Sequence, residues 1–209
     1  MNSIQLNNIS KKYGTQLIFS GITKNISGPA SIAITGYNGS GKSTLLQMIA
    51  GYITPSSGTI KYRSGEKEIP ADEIYRQISF SAPYLDLVEE FTAEETAEFY
   101  KRFKPVGKNV STGEILETAM LAESSGKQVK FFSSGMKQRL KLTLALMSDV
   151  PFIFLDEPAS NLDRPGIEWF RNLVKRFSAN KTLVISSNDS KDEIDFCNEI
   201  IKIGDYKNI

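Results

Sequence analysis

The sequence predicts an α/β fold built on a mostly parallel central sheet, with a β-rich segment ahead of it and a helical insertion within it. Three observations carry this reading. Short β-branched runs alternate with helix-length runs on both sides of the insertion. A glycine-rich loop, Gly36-Tyr37-Asn38-Gly39-Ser40-Gly41-Lys42-Ser43, joins one such strand to one such helix. From about residue 84 to residue 128 the texture turns helical and acidic, and β-branched runs become scarce.

The elements follow in chain order. Ile4-Gln5-Leu6, Leu17-Ile18-Phe19 and Ile22-Thr23-Lys24-Asn25-Ile26 carry short apolar alternations and read as strands, with a turn at Lys12-Tyr13-Gly14. Gly28-Pro29 breaks the chain before Ser31-Ile32-Ala33-Ile34-Thr35, an apolar run typical of a buried strand. Residues 42–50 form a helix that stops at Gly51. After a turn at 54–58, Thr59-Ile60-Lys61-Tyr62 is a strand, and Ile78-Ser79-Phe80-Ser81 is a short one. Within the insertion, Thr92 with Glu95 fits a capping box for a helix through Tyr100. Ser111 or Thr112 caps a second helix reaching Leu121. Leucines at 140, 142, 144 and 146 mark a largely buried helix over 136–148. Phe152-Ile153-Phe154-Leu155 has the continuous apolar character of a buried parallel strand and ends in Asp156-Glu157. An amphipathic helix over 167–177, a central strand over 182–186 and a last strand over 200–203 complete the series. Strands and helices in this alternation place a ligand at the carboxyl edge of the sheet.

Composition narrows the function classes. The 209 residues suffice for one sizeable domain, or a domain with a subdomain. With 40% hydrophobic and 23% charged residues, the balance is that of a soluble globular protein. A net charge of +1 supplies no strong field toward nucleic acid or anionic lipid, so no nucleic-acid partner is expected. The one cysteine, Cys197, excludes an internal disulfide and suits a reducing compartment. The absence of histidine rules out histidine catalysis and histidine metal sites. Met1-Asn2-Ser3-Ile4-Gln5 lacks the charged-then-apolar pattern of a signal peptide, and no apolar stretch approaches the ~18 residues of a spanning helix. The expectation is a chain that at most lies against a membrane and, ending soon after its last strand, carries no appended domain.

The loop at 36–43 fits G-x-x-x-x-G-K-[ST], the Walker A pattern, and its strand–loop–helix setting is the one the chemistry needs. Gly36, Gly39 and Gly41 let the backbone turn its N–H groups onto phosphate oxygens. The helix N-terminus adds partial positive charge. Lys42 can reach β- and γ-phosphates, and the Ser43 hydroxyl can ligate Mg²⁺. Asn38, Ser40 and Thr44 belong to the same stretch and count with it as ATP-binding candidates. Asp156 and Glu157 reach the sheet edge beside this loop, a metal-associated carboxylate and a base for water being what phosphoryl transfer requires.

Further motifs fall in one order. After Walker A come Phe132-Ser133-Ser134-Gly135-Met136-Lys137-Gln138-Arg139, then Phe152 to Pro158, then Ala159-Ser160-Asn161-Leu162-Asp163. Together they resemble the nucleotide-binding domain of an ABC transporter over essentially the whole chain. The resemblance implies a P-loop NTPase of the ABC type, with an N-terminal antiparallel β-subdomain and a helical subdomain. It implies one domain over 1–209, the ATPase core at 1–83 and 129–209, and the helical subdomain at 84–128. It implies that Asp156 holds Mg²⁺ through water and that Glu157 activates the attacking water. Ser133 and Gly135 would act on ATP held by the opposite subunit of a head-to-tail dimer, a homodimer or a pair with a second cassette. A plain helix cap is the simpler job for Ser133. Asp163 falls at the family's spacing beside them. Tyr13 resembles the adenine-stacking aromatic; a turn tyrosine packed on the sheet is the alternative.

Two positions depart from the family pattern. Pro83 stands where a glutamine touching Mg²⁺ and the attacking water is usual, and Gln77 lies at the strand's other end. Asn188 stands where a histidine is usual; it can hydrogen-bond a γ-phosphate but cannot become cationic. With Lys42, Ser43, Asp156 and Glu157 intact, the expectation is a Mg²⁺-dependent ATP hydrolase, slowed by these two changes. The implied role is the ATPase subunit of a transporter, peripheral on the cytoplasmic face, driving a separate transmembrane permease subunit. That subunit would dock near Tyr84-Leu85-Asp86-Leu87-Val88-Glu89-Glu90-Phe91. The alternatives are a soluble ABC-type ATPase in a non-transport role and a catalytically weak ATP-dependent clamp. The single cassette and the absence of a basic patch weigh against the first, and the intact Walker residues against the second.

Overall fold

A computed structural model of the chain describes residues 1–107, 110–188 and 190–207. The N-terminal part opens with two long antiparallel strands, β1 (Asn2–Tyr13) and β2 (Gln16–Ser27). β3 (Ala30–Thr35) then leads through the glycine loop into helix α1 (Lys42–Ile49). β4 (Ser57–Ser64) and β5 (Lys67–Ile69) return to β1, giving an antiparallel sheet in the order β2-β1-β4-β5. The runs expected as separate strands at 17–19 and 22–26 are one strand, β2. Register shifts between Leu6 and Lys12 explain the misreading: bulges move the inward phase, so the alternation breaks although the pairing continues. The Ser10 hydroxyl accepts the Gly21 N–H at 3.1 Å within this irregular stretch. β5 was not expected; three residues reading Lys67-Glu68-Ile69 are too short and too charged to signal a strand.

β6 (Ile78–Ser81) is followed by α2 (Ala93–Phe103) and α3 (Thr112–Thr118). α2 begins with the expected capping box, Thr92 N–H to the Glu95 carboxylate at 2.8 Å and Glu95 N–H to the Thr92 hydroxyl at 3.1 Å. α3 is capped by Ser111, not Thr112, and ends before Leu121 because the backbone turns left-handed at Met120, φ 58°. α4 (Ser134–Met147), β7 (Phe152–Asp156), α5 (Arg164–Phe177), β8 (Thr182–Ser187), α6 (Lys191–Ile194) and β9 (Glu199–Lys202) complete the chain. α5 starts a turn earlier than expected, since Asp163 caps it and Pro165 suits its first turn.

The second sheet runs β6-β7-β8-β3-β9 with every pairing parallel. Parallel pairing brings the carboxyl ends of β3, β6, β7 and β8 to one edge, where the loops at 36–43, 82–91, 156–163 and 188 emerge. β7 and β8 are buried throughout, as strands covered on both faces must be. One apolar cluster joins the antiparallel sheet, α1 and one face of the parallel sheet around Phe19, Leu46, Phe152 and Phe154. A second lies on the other face, between α4, α5 and the sheet, around Leu142, Phe170 and Ile185. A third holds α2 and α3 onto α4 through Ala97, Leu116 and Leu140. Among the described residues no helix is long and apolar enough to cross a membrane.

Candidate nucleotide site

The loop after β3 turns back on itself with Gly36 at φ 150°, Gly39 at 75° and Gly41 at 106°. Gly41 is the decisive one. Its conformation is left-handed, and a Cβ there would come within 2.5 Å of Ile18 Cγ2. As N-cap of α1 it offers no side-chain acceptor, so the first N–H groups of the helix face the cleft uncapped. The cleft measures about 200 Å³ and is lined by Ile18, Asn38, Gly39, Gly41, Lys42, Ser43, Thr44 and Glu157. Ser40 does not line it and is fully buried, its hydroxyl without a hydrogen-bond partner among the described residues. A larger groove of about 380 Å³ between α5 and Ser31 contains none of these groups.

Two linked hydrogen-bond chains cross the sheet edge. Lys42, only 4% exposed, donates to the Tyr37 carbonyl at 3.2 Å and to the Asn188 side-chain carbonyl. Asn188 in turn donates through Nδ2 to Glu157 Oε1 at 3.2 Å. In the second chain the Ser43 hydroxyl donates to Asp156 Oδ1 at 3.1 Å, and the Ser186 hydroxyl donates to the same oxygen. Asp156 is 2% exposed, and its Oδ2 is buried with no hydrogen-bond partner among the described residues. A hydroxyl and a buried, half-satisfied carboxylate side by side suit a hard cation that prefers oxygen ligands. Among the described residues no group of three or more acidic, cysteine or histidine side chains converges, so phosphate or water oxygens would complete its shell.

Sequence reasoning missed several neighbours. Gln47 follows Ser43 by one helical turn on α1, and its Nε2 donates to the Tyr84 hydroxyl at 2.5 Å. Burial, with the Asp156 charge as a lesser cause, pushes the Tyr84 phenol up to about 12, so it stays protonated. A polar residue four places after the Walker serine in an otherwise apolar helix was the available signal for Gln47. Ser186 and Glu193 gave none. Pro83, beside Tyr84, presents no polar side chain, and Gln77 lies at the amino end of β6.

Other expected residues lie outside the cleft. Tyr13 sits at the β1–β2 turn, 49% exposed, with Lys11 Nζ 4.9 Å over its ring. Ser133 and Asp163 each have a job within their own chain. Ser133 Oγ accepts the Met136 N–H at 3.2 Å and Asp163 Oδ1 accepts the Gly166 N–H at 2.9 Å, both as helix caps. Ser133 is exposed at the N-terminus of α4, and a Cβ at Gly135 would approach the Asn161 carbonyl to 3.1 Å.

The segment expected to meet a membrane partner is held by Lys141 of α4. Its ammonium donates to the carbonyls of Ala82, Pro83 and Leu85 at 2.9, 3.1 and 3.2 Å. Beside it a groove of about 250 Å³ is lined by Phe80, Leu85, Leu87, Tyr100 and Leu144 among others. Tyr84, Leu85 and Val88 are exposed, whereas Leu87 packs onto the cluster beneath α2 and α3.

Comparison with known proteins decides the family. The family model described as ABC transporter matches residues 19–160. The chain belongs to this family. Among its ABC relatives, the uncharacterized ABC transporter ATP-binding protein YxlF of Bacillus subtilis is 30% identical over 201 residues, covering 95% of this chain and 66% of the relative. The cytochrome c biogenesis ATP-binding export protein CcmA of Rhodopseudomonas palustris is 30% identical over 177 residues, covering 85% of this chain and 86% of the relative. The chain spans 66% and 61% of the length of two Bacillus subtilis relatives, YxlF and YcbN. A Pyrococcus furiosus protein described as "Putative ABC transporter (ATP-binding protein)" superposes with a TM-score of 0.83 at 21% identity, over 99% of this chain and 100% of its own. The ATP-binding cassette MJ0796, solved as a dimer in a post-hydrolysis state with ADP and Pi, superposes with a TM-score of 0.78 at 25% identity, over 95% of this chain and 93% of its own. The ABC-type α/β fold and the ATP-binding character read from the sequence are thereby established.

Proposed function

We propose that this ABC protein hydrolyses ATP and uses the cycle to drive a separate transmembrane subunit. The supporting observation is the continuous contact from Lys42 through Asn188 to Glu157, beside the Ser43–Asp156 pair and facing the loop cleft. The glycine loop and the α1 N-terminus bind the triphosphate, with Lys42 neutralising its β and γ groups. Asn38, Gly41 and Thr44 belong to that cradle, and Ser40 stands buried behind it. Ser43 and Asp156 would hold Mg²⁺, which supplies charge stabilisation of the transferring phosphoryl group. Glu157 takes a proton from the attacking water, and Asn188 replaces its contact with Lys42 by one to the γ-phosphate.

The same reading includes two chains meeting head to tail, with Ser133, Gly135 and Asp163 of one facing nucleotide on the other. The free proton of the Ser133 hydroxyl and the N-terminus of α4 remain to donate to phosphate. Tyr13 covers the adenine. Residues 84–128 act as a helical subdomain within one domain over 1–209. A transmembrane permease docks at 84–91 by an apolar contact with basic rims, holding the protein on the cytoplasmic face of the membrane. The test is Mg²⁺-dependent phosphate release by the purified chain. Release that survives Lys42→Ala unchanged would reject the assignment.

A further inference from the structure

Glu193 is a carboxylate buried to 5% exposure outside the nucleotide cleft, on the short helix α6. Among the described residues no ion pair includes it. Its two oxygens are divided between two turns. Oε1 accepts the Ala159 N–H at 2.8 Å, and Oε2 accepts the Ser187 hydroxyl. Ala159 lies two residues beyond Glu157, and Ser187 immediately precedes Asn188. Because Asn188 also donates to Glu157 at 3.2 Å, the contacts close a ring: Glu157 to Ala159, across Glu193 to Ser187, and through Asn188 back to Glu157.

The turn after β7 needs such an anchor. Glu157 holds φ at 41°, a left-handed conformation uncommon outside glycine and asparagine. The neighbouring turn bonds, Ser160 N–H to Glu157 C=O and Leu162 N–H to Ala159 C=O, leave the Ala159 N–H to Glu193. A buried carboxylate is an expensive acceptor for one amide. Here it serves two segments, one carrying Glu157 of the cleft lining and the other Asn188, which bonds Glu157 and Lys42.

We propose that Glu193 is a positioning residue for phosphoryl transfer, fixing the Glu157 carboxylate and the Asn188 amide relative to one another without touching nucleotide. This rests on the ATPase reading above. The test compares Glu193→Ala, Glu193→Gln and Ser187→Ala with the parent in three measurements: kcat for ATP hydrolysis, nucleotide affinity, and amide exchange of the nucleotide-free protein. Glu193→Ala is expected to lower kcat by about tenfold or more while nucleotide affinity stays within about threefold, since misplacement acts on the chemical step. Exchange over 157–163 and 182–188 rises. Glu193→Gln, whose amide can still accept from Ala159 and donate to Ser187, recovers most of the loss. A Glu193→Ala protein with the parent's kcat and the parent's exchange overturns the proposal. Should that variant not fold, Ser187→Ala, which removes one contact only, carries the same measurements. A parent chain without turnover rejects the ATPase reading instead, and the exchange measurement then decides alone whether Glu193 holds both turns.

Discussion

The Asn188 side chain bridges Lys42 and Glu157, accepting from the lysine through its carbonyl and donating to the carboxylate at 3.2 Å through its amide. A neutral side chain thus separates a buried cation from the carboxylate cast as base. A triphosphate entering the loop must take over the Lys42 end of this bridge. With ATP bound, Asn188→Ala would remove the proposed hydrogen bond to the γ-phosphate, about 1.5–3 kcal/mol, and is expected to slow turnover roughly 10- to 150-fold. Steady-state phosphate release measures it; a variant as fast as the parent makes Asn188 a bystander.

Lys42→Ala removes a nearly buried ammonium and leaves the Asn188 side-chain carbonyl without its donor, while the Tyr37 carbonyl keeps the Ser40 N–H. ATP affinity is expected to fall by about tenfold or more, for loss of a charge-assisted contact. Titration with a fluorescent ATP analogue reads this directly, and circular dichroism verifies that the fold persists.

Glu157→Gln keeps the size and hydrogen-bonding reach of the side chain but removes its basicity. With MgATP the variant is expected to sediment as a dimer while the nucleotide-free form remains monomeric. A monomer at saturating ATP speaks against self-pairing and directs attention to a second cassette as partner.

The segment proposed to dock the permease separates into two kinds of position. Leu85→Glu and Val88→Glu alter exposed side chains and are expected to leave melting and ATP affinity unchanged while abolishing co-sedimentation with permease-containing membranes. Leu87→Glu buries a charge against the cluster under α2 and α3 and is expected to destabilise the chain by about 1–3 kcal/mol. Membrane retention of both exposed-site variants places the docking surface elsewhere.

Cys197 offers a chemical check on the packing of α5 against the sheet. Burial, then the nearby Asp195 charge, pushes its thiol from 9.0 up to about 12, which lowers the thiolate fraction near pH 8 by about a thousandfold. Alkylation of the folded protein is expected to be correspondingly slower than that of the urea-unfolded chain. Its rate should climb about tenfold per pH unit past pH 9, where the unfolded chain levels off.

The parallel sheet was legible because β3, β7 and β8 are continuous apolar runs that only a doubly covered strand explains. The loop at 36–43 was legible because its chemistry is local: glycines, lysine and serine act within a few residues of one another. The β1–β2 pair was misread because its bulges interrupt the period that announces a strand. Gln47–Tyr84 and Glu193–Ala159 were invisible because each joins segments whose proximity exists only after the strands have paired. Ser133 and Asp163 show the opposite difficulty. Their motif spacing is clear, yet the same residue types are what helix N-termini require, and both do cap helices.

The Lys141 ammonium, resting on the carbonyls of Ala82, Pro83 and Leu85, has a mechanical consequence. Reshaping the 82–85 turn would strip a half-desolvated cation of its oxygens, and burial already draws the Lys141 pKa downward. The cheaper displacement keeps the oxygens in place and carries the turn along with α4. Such a displacement would carry the 82–85 turn together with the helix behind Ser133, which packs on the apolar layer through Leu140 and Leu144. A push at the exposed end would be felt at the other without any hydrogen bond between them changing hands.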